Sequence, residues 1–581
     1  MKKLLATILA LVMALSLCTT SWAEGDGTAS GSMTGADFLA KAKDGVITLT
    51  GNVTLTSTWY ISDGKTYTLN LNEHTLSAEN LVIMLRHGKL IVNGAGTIKE
   101  NDPCWAAIMI KGSETSTDTN YSVLEVNKDV VLEGWAPIFV DQLSSKQNKP
   151  FAYGVSVTVN GATLNARKDD PDGGSGVYVN GNITHAENAP VISLTDTTIC
   201  DIDNASEGMY LAGYAKTTLT NCTITGTTGV EIRAGELTVN GGTITGTATP
   251  IGEVPNGNGS TVTGAGIAVS QHTTMLPLTV TVNGGNVEGY SAFYQVDTLA
   301  EMEDNAGSKK FTEEQVAAAV AKITLNVNEG VYTANGEDGQ AVYSENKKGF
   351  VSAGIFSSDV ASYLTNDAVA ATVVNGDSTD YAVGSTAISA AITSNSTVTV
   401  TKGSIDLNNV PAGVIVNNTG EGKVTVNGTK EVKKGDAPYT VPAKTGGYYY
   451  YPSTPGITAE LNGTNKSATD YPGGDYGLVF RSTAAFSTFQ GVQVDGKTLA
   501  KSNYTAEEGS TVVYLKAAYL KTLAAGKHTV TILSTSGNTS MDFTVGGKTT
   551  APQTFDAGVG IYAVTAVLSV TGMAWTAKKR H

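Results

Sequence analysis

The sequence predicts an all-β fold: a parallel β-helix, then an immunoglobulin-type β-sandwich, with a signal peptide in front and a membrane-spanning anchor helix behind. Three observations carry this. From Tyr67 to Tyr332 one phrase recurs: an apolar residue, a small polar turn and another apolar residue five positions on, as in Val239-Asn240-Gly241-Gly242-Thr243-Ile244. It returns at Leu71 to Leu76, Val159 to Leu164, Leu194 to Ile199, Leu219 to Ile224, Val282 to Val287 and Val327 to Tyr332, and with one extra residue at Val92 to Ile98. Self-similarity at an irregular period of about twenty to forty residues means stacked units rather than one closed globule. Between the phrases, alternating segments such as Val177-Tyr178-Val179-Asn180 and Val230-Glu231-Ile232-Arg233 read as strands broken by turns. After Ile457 the short phrases give way to strands of ordinary length.

In chain order, residues 1–23 read as an export signal: Lys2 and Lys3, an apolar run from Leu4 to Leu17, and cleavage after Ala23 to leave Glu24 as the mature start. A lipobox ending at Cys18 is the alternative, and Leu17 stands where that box wants a small residue. Residues 24–45 form a Gly/Ser/Thr-rich leader, expected to be mobile through residue 33, and a capping helix from Thr34 that Gly45 can end. The helix closes the open end of the solenoid, whose first coil would otherwise leave apolar surface and strand edges bare. The coils run over 46–369, interrupted by polar insertions at 112–121, 142–151, 166–175, 247–262 and 296–310, and by a second helical insert at Glu313 to Ala321. Residues 370–436 repeat the helix-then-strand order and form a last small β unit or further coils. Residues 437–456, with Tyr448 to Tyr451 among Pro and Gly, read as a linker. In 457–546, strands at Gly477 to Phe480, Val492 to Val494, Thr511 to Leu515, His528 to Leu533 and Met541 to Val545 make the sandwich, with a helical turn at Ala517 to Leu523. Residues 551–581 hold an apolar span, Ala557 to Ala577, long enough to cross a bilayer, and a basic end, Lys578-Lys579-Arg580-His581.

Composition narrows the function. A net charge of -15 with no long basic run away from the termini argues against nucleic acid. Cys104, Cys200 and Cys222 show no metal-ligand spacing, and aligning Ile199 with Ile224 sets Cys200 and Cys222 too far apart for a disulfide. No cofactor or metal is expected; Asp169, Asp170 and Asp172 lack EF-hand spacing and read as a solvated turn.

Several segments resemble known families. Pro552 and Thr554 match the sortase sorting signal of Gram-positive surface proteins, Leu-Pro-x-Thr-Gly, with Ala551 and Phe555 in place of its Leu and Gly. The resemblance implies anchoring to the cell wall through Thr554, or to the membrane through the span. Leu69 to Leu76 and Gly349 to Leu364 resemble phrases of β-helical surface proteins from gut Firmicutes, and Asn503 to Val530 resembles immunoglobulin-like modules attached to clostridial glycan-degrading enzymes. Such modules serve as spacers or as wall and polysaccharide binders.

Parallel β-helices include pectate lyases and polygalacturonases, so catalysis has to be weighed. Registering the coils on inward pairs from Ile83/Leu85 to Val230/Ile232, Ile267/Val269 and Ala292/Tyr294 sets Met84, Met109, Phe139, Tyr178, Tyr210, Glu231, Ala268 and Phe293 outward. The next outward column is Arg86, Lys111, Asp141, Asn180, Ala212, Arg233, Ser270 and Gln295. Each column holds a single carboxylate, so the paired acids of a glycosidase are not expected. Phe139, Tyr178 and Tyr210 instead form a ring column flanked by Asp141 and Asn180, which reads either as a structural ladder or as a surface for sugar rings. The expected protein is a non-catalytic adhesin or glycan-binding protein on the surface of a Gram-positive bacterium, facing glycans or host or bacterial cell-surface ligands, with its C-terminus in the membrane or on peptidoglycan. The alternatives are a β-helical polysaccharide lyase or glycoside hydrolase, and a purely structural stalk.

Overall fold

The computed structural model describes residues 25–102, 105–144, 150–167, 174–201, 207–256, 259–297, 311–411, 413–428, 430–441, 449–450, 457–458, 476–508 and 511–545. The signal peptide with its Ala23/Glu24 junction, the loop with Asp169, Asp170 and Asp172, and the sorting signal with Pro552 and Thr554 lie outside them. The chain divides into two compact units, residues 1–443 and 444–581.

The first unit is β-structure dominated by parallel pairing. A ten-stranded sheet joins Trp59–Ile61, Ile83–Leu85, Ala106–Lys111, Ala136–Asp141, Ser175–Val179, Glu207–Leu211, Val230–Ile232, Ala265–Val269, Ser291–Gln295 and Val342–Ser344 in chain order, each parallel to the next. The remaining strands of each repeat enter a 22-stranded sheet, first as pairs such as Ser122–Val126 with Val130–Gly134, later as single bent strands such as Gly235–Gly246.

The repeated phrase explains the stacking. Its first apolar position forms one in-register column, Val92, Val126, Val159, Leu194, Leu219, Val239, Val282 and Val327. Its second forms another, from Leu76 and Ile98 through Leu132, Leu164, Ile199, Ile224 and Ile244 to Val287 and Tyr332. All are buried in one continuous core, each burial worth about 1.5–3 kcal/mol. The polar residues between them make the bend. Asn221 and Gly241 have positive φ there, and a Cβ on Gly242 would lie 2.1 Å from the Cys222 carbonyl oxygen.

The N-terminal end is closed by the helix Gly35–Ala40, capped by Thr34, whose hydroxyl accepts from the Asp37 N–H. Its Phe38 is fully buried edge-on to Trp59, with centroids 5.0 Å apart. The leader is not mobile throughout: Thr28–Met33 is a strand paired parallel to Val46–Leu55, with Ala29 buried. Its two apolar contacts, Ala29 and the partly buried Met33, stand at its ends and do not register as alternation in sequence. The insert helix Glu313–Val320 carries a complete capping box between Thr312 and Gln315. After Gly354–Phe356 the pairing turns antiparallel through the hairpin Ala370–Asn375 and Ser378–Val383, then returns to parallel between Thr397–Lys402 and Ile415–Asn418. This last part has its own core around Ile388, Val400, Leu407, Val416 and Val424.

The second unit contains two antiparallel sheets, one with Tyr449–Tyr450, Tyr476–Ser482, Thr511–Lys516 and Tyr504–Glu508, the other with Ile457–Thr458, Thr539–Val545, Gly526–Ser534, Phe489–Val494 and Lys497–Thr498. Leu478, Phe480 and Val513 of the first share a core with Val492, Ile532 and Phe543 of the second. Tyr449–Tyr450, inside the stretch read as a linker, pairs with Tyr476–Ser482. No helix among the described residues is long and apolar enough to cross a membrane, and the span at 557–577 lies outside them.

Candidate functional site on the outer face of the ten-stranded sheet

Side chains alternate on each strand, so the ten-stranded sheet presents one outward column between its two inward ones. In register it reads Tyr60, Met84, Met109, Phe139, Tyr178, Tyr210, Glu231, Ala268, Tyr294 and Tyr343. The sequence register slips by one residue near the end. Phe293 pairs with Ile267 and is fully buried, so Phe293 faces the core, Tyr294 faces out, and Gln295 is buried opposite Val269. Ala292, Phe293 and Tyr294 are all apolar or aromatic, so alternation cannot set their phase; the ring without a hydroxyl takes the interior, and the Tyr294 hydroxyl donates to Glu253 at 2.9 Å.

Phe139, Tyr178 and Tyr210 lie together on neighbouring strands and are half-buried. Phe139 and Tyr178 meet edge-to-face at 4.8 Å, and Tyr178 and Tyr210 are tilted at 5.1 Å. Trp135, at the corner before Ala136–Asp141, joins them 5.3 Å from Tyr178 and 6.2 Å from Phe139. Trp105 holds the matching corner one repeat earlier, where its carbonyl accepts the Ala136 N–H, and it is 46% exposed. Below the rings, Leu81, Ala106, Met109 and Ala136 form an apolar floor outside the main core. Asp141 and Asn180 are beside the rings as expected, and they are engaged with each other: Asn180 donates to Asp141 at 2.7 Å, and Lys111 pairs with Asp141 at 2.5 Å. The flank is therefore a neutralised polar rank.

The column itself holds one carboxylate, Glu231, as expected, but a second acid that the sequence register left out of it lies alongside. Glu207 and Glu231, on adjacent strands, bring their carboxyl groups side by side, and Glu231 Oε2 is buried without a hydrogen-bond donor. Strict alternation from Met209 and Leu211 would turn Glu207 inward, but the chain bends at Gly208. A Cβ on Gly208 would lie 2.5 Å from Ile224 Cγ2, so this glycine faces the core and Glu207 turns outward. Gly176, Gly229 and Gly266 stand in the same way against Ile199, Ile244 and Val287, and this glycine rank was the signal available in the sequence.

Glu231 and Arg233 are fully buried. Glu231 Oε1 accepts from the Ser270 hydroxyl at 2.5 Å and from the Val262 N–H at 3.3 Å. Arg233 Nη1 donates to the Tyr210 hydroxyl at 2.6 Å. Val262 belongs to the hairpin Gly252–Asn256 and Gly259–Thr263, which is also tied down by Thr228, whose hydroxyl donates to the Val262 carbonyl at 2.5 Å. Burial raises both carboxyls, Glu207 further because Glu231 lies beside it, while Arg233 opposes the rise in each. Burial and Arg233 together push His272 down to about 4, so it is neutral at ordinary pH.

The chain matches no family model, and comparison with curated proteins and with solved structures returns no match either. Function therefore has to be argued from the site. Among the described residues, no group of three or more His, Cys, Asp or Glu is placed to hold a metal ion. Cys222 is a buried free thiol.

Proposed function

We propose that the parallel stack is a β-helix of the pectate-lyase type, that the second unit is an immunoglobulin-like stalk, and that the protein is a non-catalytic, surface-anchored adhesin that binds glycans on the outer face of the ten-stranded sheet. The observation that carries this is the run of half-buried rings Trp135, Phe139, Tyr178 and Tyr210, with exposed Trp105 at its edge. Rungs about 4.8 Å apart spread Trp105 to Tyr210 over roughly 15 Å, enough for about three sugar rings. Aromatic faces and edges exclude water from the apolar side of a sugar, and the Lys111, Asp141 and Asn180 rank offers donors and acceptors alongside. The mutual packing of the rings also stabilises the stack, so a binding role and a ladder role coexist in the same residues. Export and anchoring rest on Lys2, Lys3 and the following apolar run, and on Pro552, Thr554 and the basic C-terminus.

The acid pair favours a second reading, hydrolysis or lyase chemistry, less well. Glycosidase carboxyls stand about 5–5.5 Å apart in retaining enzymes and about 6.5–9.5 Å apart in inverting ones. Glu207 and Glu231 stand side by side rather than across a gap for substrate, and Glu231 lies wholly under the hairpin. The test is to incubate the full chain with pectin, polygalacturonate and mucin glycans, with and without calcium. No new reducing ends and no unsaturated product are expected; either one would replace binding with catalysis.

A further inference from the structure

The acid pair and the ring column meet at Tyr210. Glu231 carries two donors besides Glu207, the Ser270 hydroxyl and the Val262 N–H, so Glu231 is the partner held as the anion. Glu207 is half-exposed with its carboxyl beside Glu231, whose Oε2 is buried without a hydrogen-bond donor, and a proton between the two carboxyls supplies that donor. The shared proton therefore resides on Glu207. In that state the buried cluster holds one carboxylate and one guanidinium, and Arg233 has a donor to spare for the Tyr210 hydroxyl. Tyr210 in turn packs on Tyr178, and Tyr178 on Phe139 and Trp135.

We propose that the Glu207–Glu231–Arg233 cluster is a proton switch for the binding face, holding the Tyr210 end of the ring column in place while the two carboxyls share a proton and releasing it when that proton is lost. This rests on the binding role assigned to that face. Loss of the proton, to solvent through the half-exposed Glu207, leaves two carboxylates in contact beside one guanidinium. Their repulsion is strong where water is excluded. The cluster relieves it by moving Glu207 outward and by drawing the Arg233 guanidinium to the carboxylates, which takes the donor from Tyr210. The other groups facing the cluster do not titrate in the same range. His272 is already neutral, while burial raises the Tyr210 hydroxyl and keeps it protonated; the Ser270 hydroxyl does not ionise. The pair loses its protons in two macroscopic steps, and the switch follows the second, the loss of the shared proton.

The switch is read without any ligand. On the full chain, infrared difference spectra follow the C=O stretch of protonated carboxyls, and near-ultraviolet circular dichroism follows tyrosine packing, both from pH 5 to 9. In the wild type, a protonated-carboxyl band persists above the ordinary glutamate range and disappears with the same midpoint as a tyrosine signal. Glu207→Gln, which holds the uncharged state, loses both transitions and keeps the low-pH tyrosine signal throughout. Ser270→Ala, which removes a donor from the Glu231 anion, moves both midpoints to higher pH and decides the matter should the glutamine variant not fold. A carboxyl transition with no accompanying tyrosine change, or transitions unaltered in either folded variant, overturns the proposal. A glycan array at one pH below and one pH above the midpoint found in the spectra separates the two claims. Binding at both pH values alike removes the switch and leaves the binding face, whereas no binding at either pH with both spectral transitions intact removes the binding role alone.

Discussion

Glu100 offers a pH effect whose size follows from its surroundings. It ends the strand Gly96–Glu100, in register with Ala78, and is fully buried. Gly134 on the next repeat leaves the room, since a Cβ there would lie 3.3 Å from both Glu100 Cβ and Oε2. Oε2 accepts the Trp135 N–H at 3.4 Å, and Oε1 has no hydrogen-bond partner. Arg167 donates to the Glu100 backbone carbonyl, not to its carboxylate. Burial, only partly offset by the Trp135 and Trp105 N–H groups, raises the carboxyl from 4.5 to about 7. Between those two values the folded state binds more proton than the unfolded chain, so stability falls as pH rises and levels off above about 7. At about 1.4 kcal/mol per tenfold, the loss approaches 3 kcal/mol by pH 8. Glu100→Gln keeps the shape and removes the titration. Urea unfolding of the first unit at pH 4.5, 6 and 8, wild type beside variant, should give a difference that widens in the variant's favour with pH, toward ~3 kcal/mol. Differences that stay constant with pH would refute the burial argument.

Two further outcomes follow from the packing and one from the C-terminal sequence. Phe293→Ala should cost about 3–5 kcal/mol and Tyr294→Ala clearly less, as read by thermal unfolding; the reverse order would restore the register in which Phe293 faces out. Gly242→Ala meets both a φ of 92° and the Cys222 carbonyl, and should destabilise by about 1–3 kcal/mol in the same assay; an unchanged midpoint would show that the bend can relax. Thr554→Ala should convert wall-linked protein, released from cells only by wall digestion, into protein released by detergent; equal detergent release of both would leave the membrane span as the anchor.

Much of the first unit was legible because its phrase is simple. Val159, Leu194, Leu219 and Val239 recur at the same place before a polar bend, and parallel pairing stacks them in register. The aromatic part of the site followed from the same counting, since Phe139, Tyr178 and Tyr210 each stand between two inward apolar residues. Counting failed where alternation itself breaks. Gly208 faces the core without a side chain to show it, so the outward turn of Glu207 was hidden and the acid pair with it. Three apolar residues in a row left Phe293 and Tyr294 without a phase. The coverage of Glu231 by the hairpin around Val262 is a contact between segments far apart in sequence, with no local signature. Thr28–Met33 owes its strand conformation to the edge of Val46–Leu55 rather than to its own composition.

The most direct test of the binding face is a glycan array probed with the full chain at pH 5.5, wild type beside Trp105→Ala and Tyr178→Ala. Trp105 is the informative position because its exposed ring contributes little to the core. The account predicts that the wild type binds a defined set of glycans, that folded Trp105→Ala binds them at least tenfold more weakly, and that Tyr178→Ala loses them altogether. Undiminished binding by both folded variants would contradict it and leave the rings as a structural ladder.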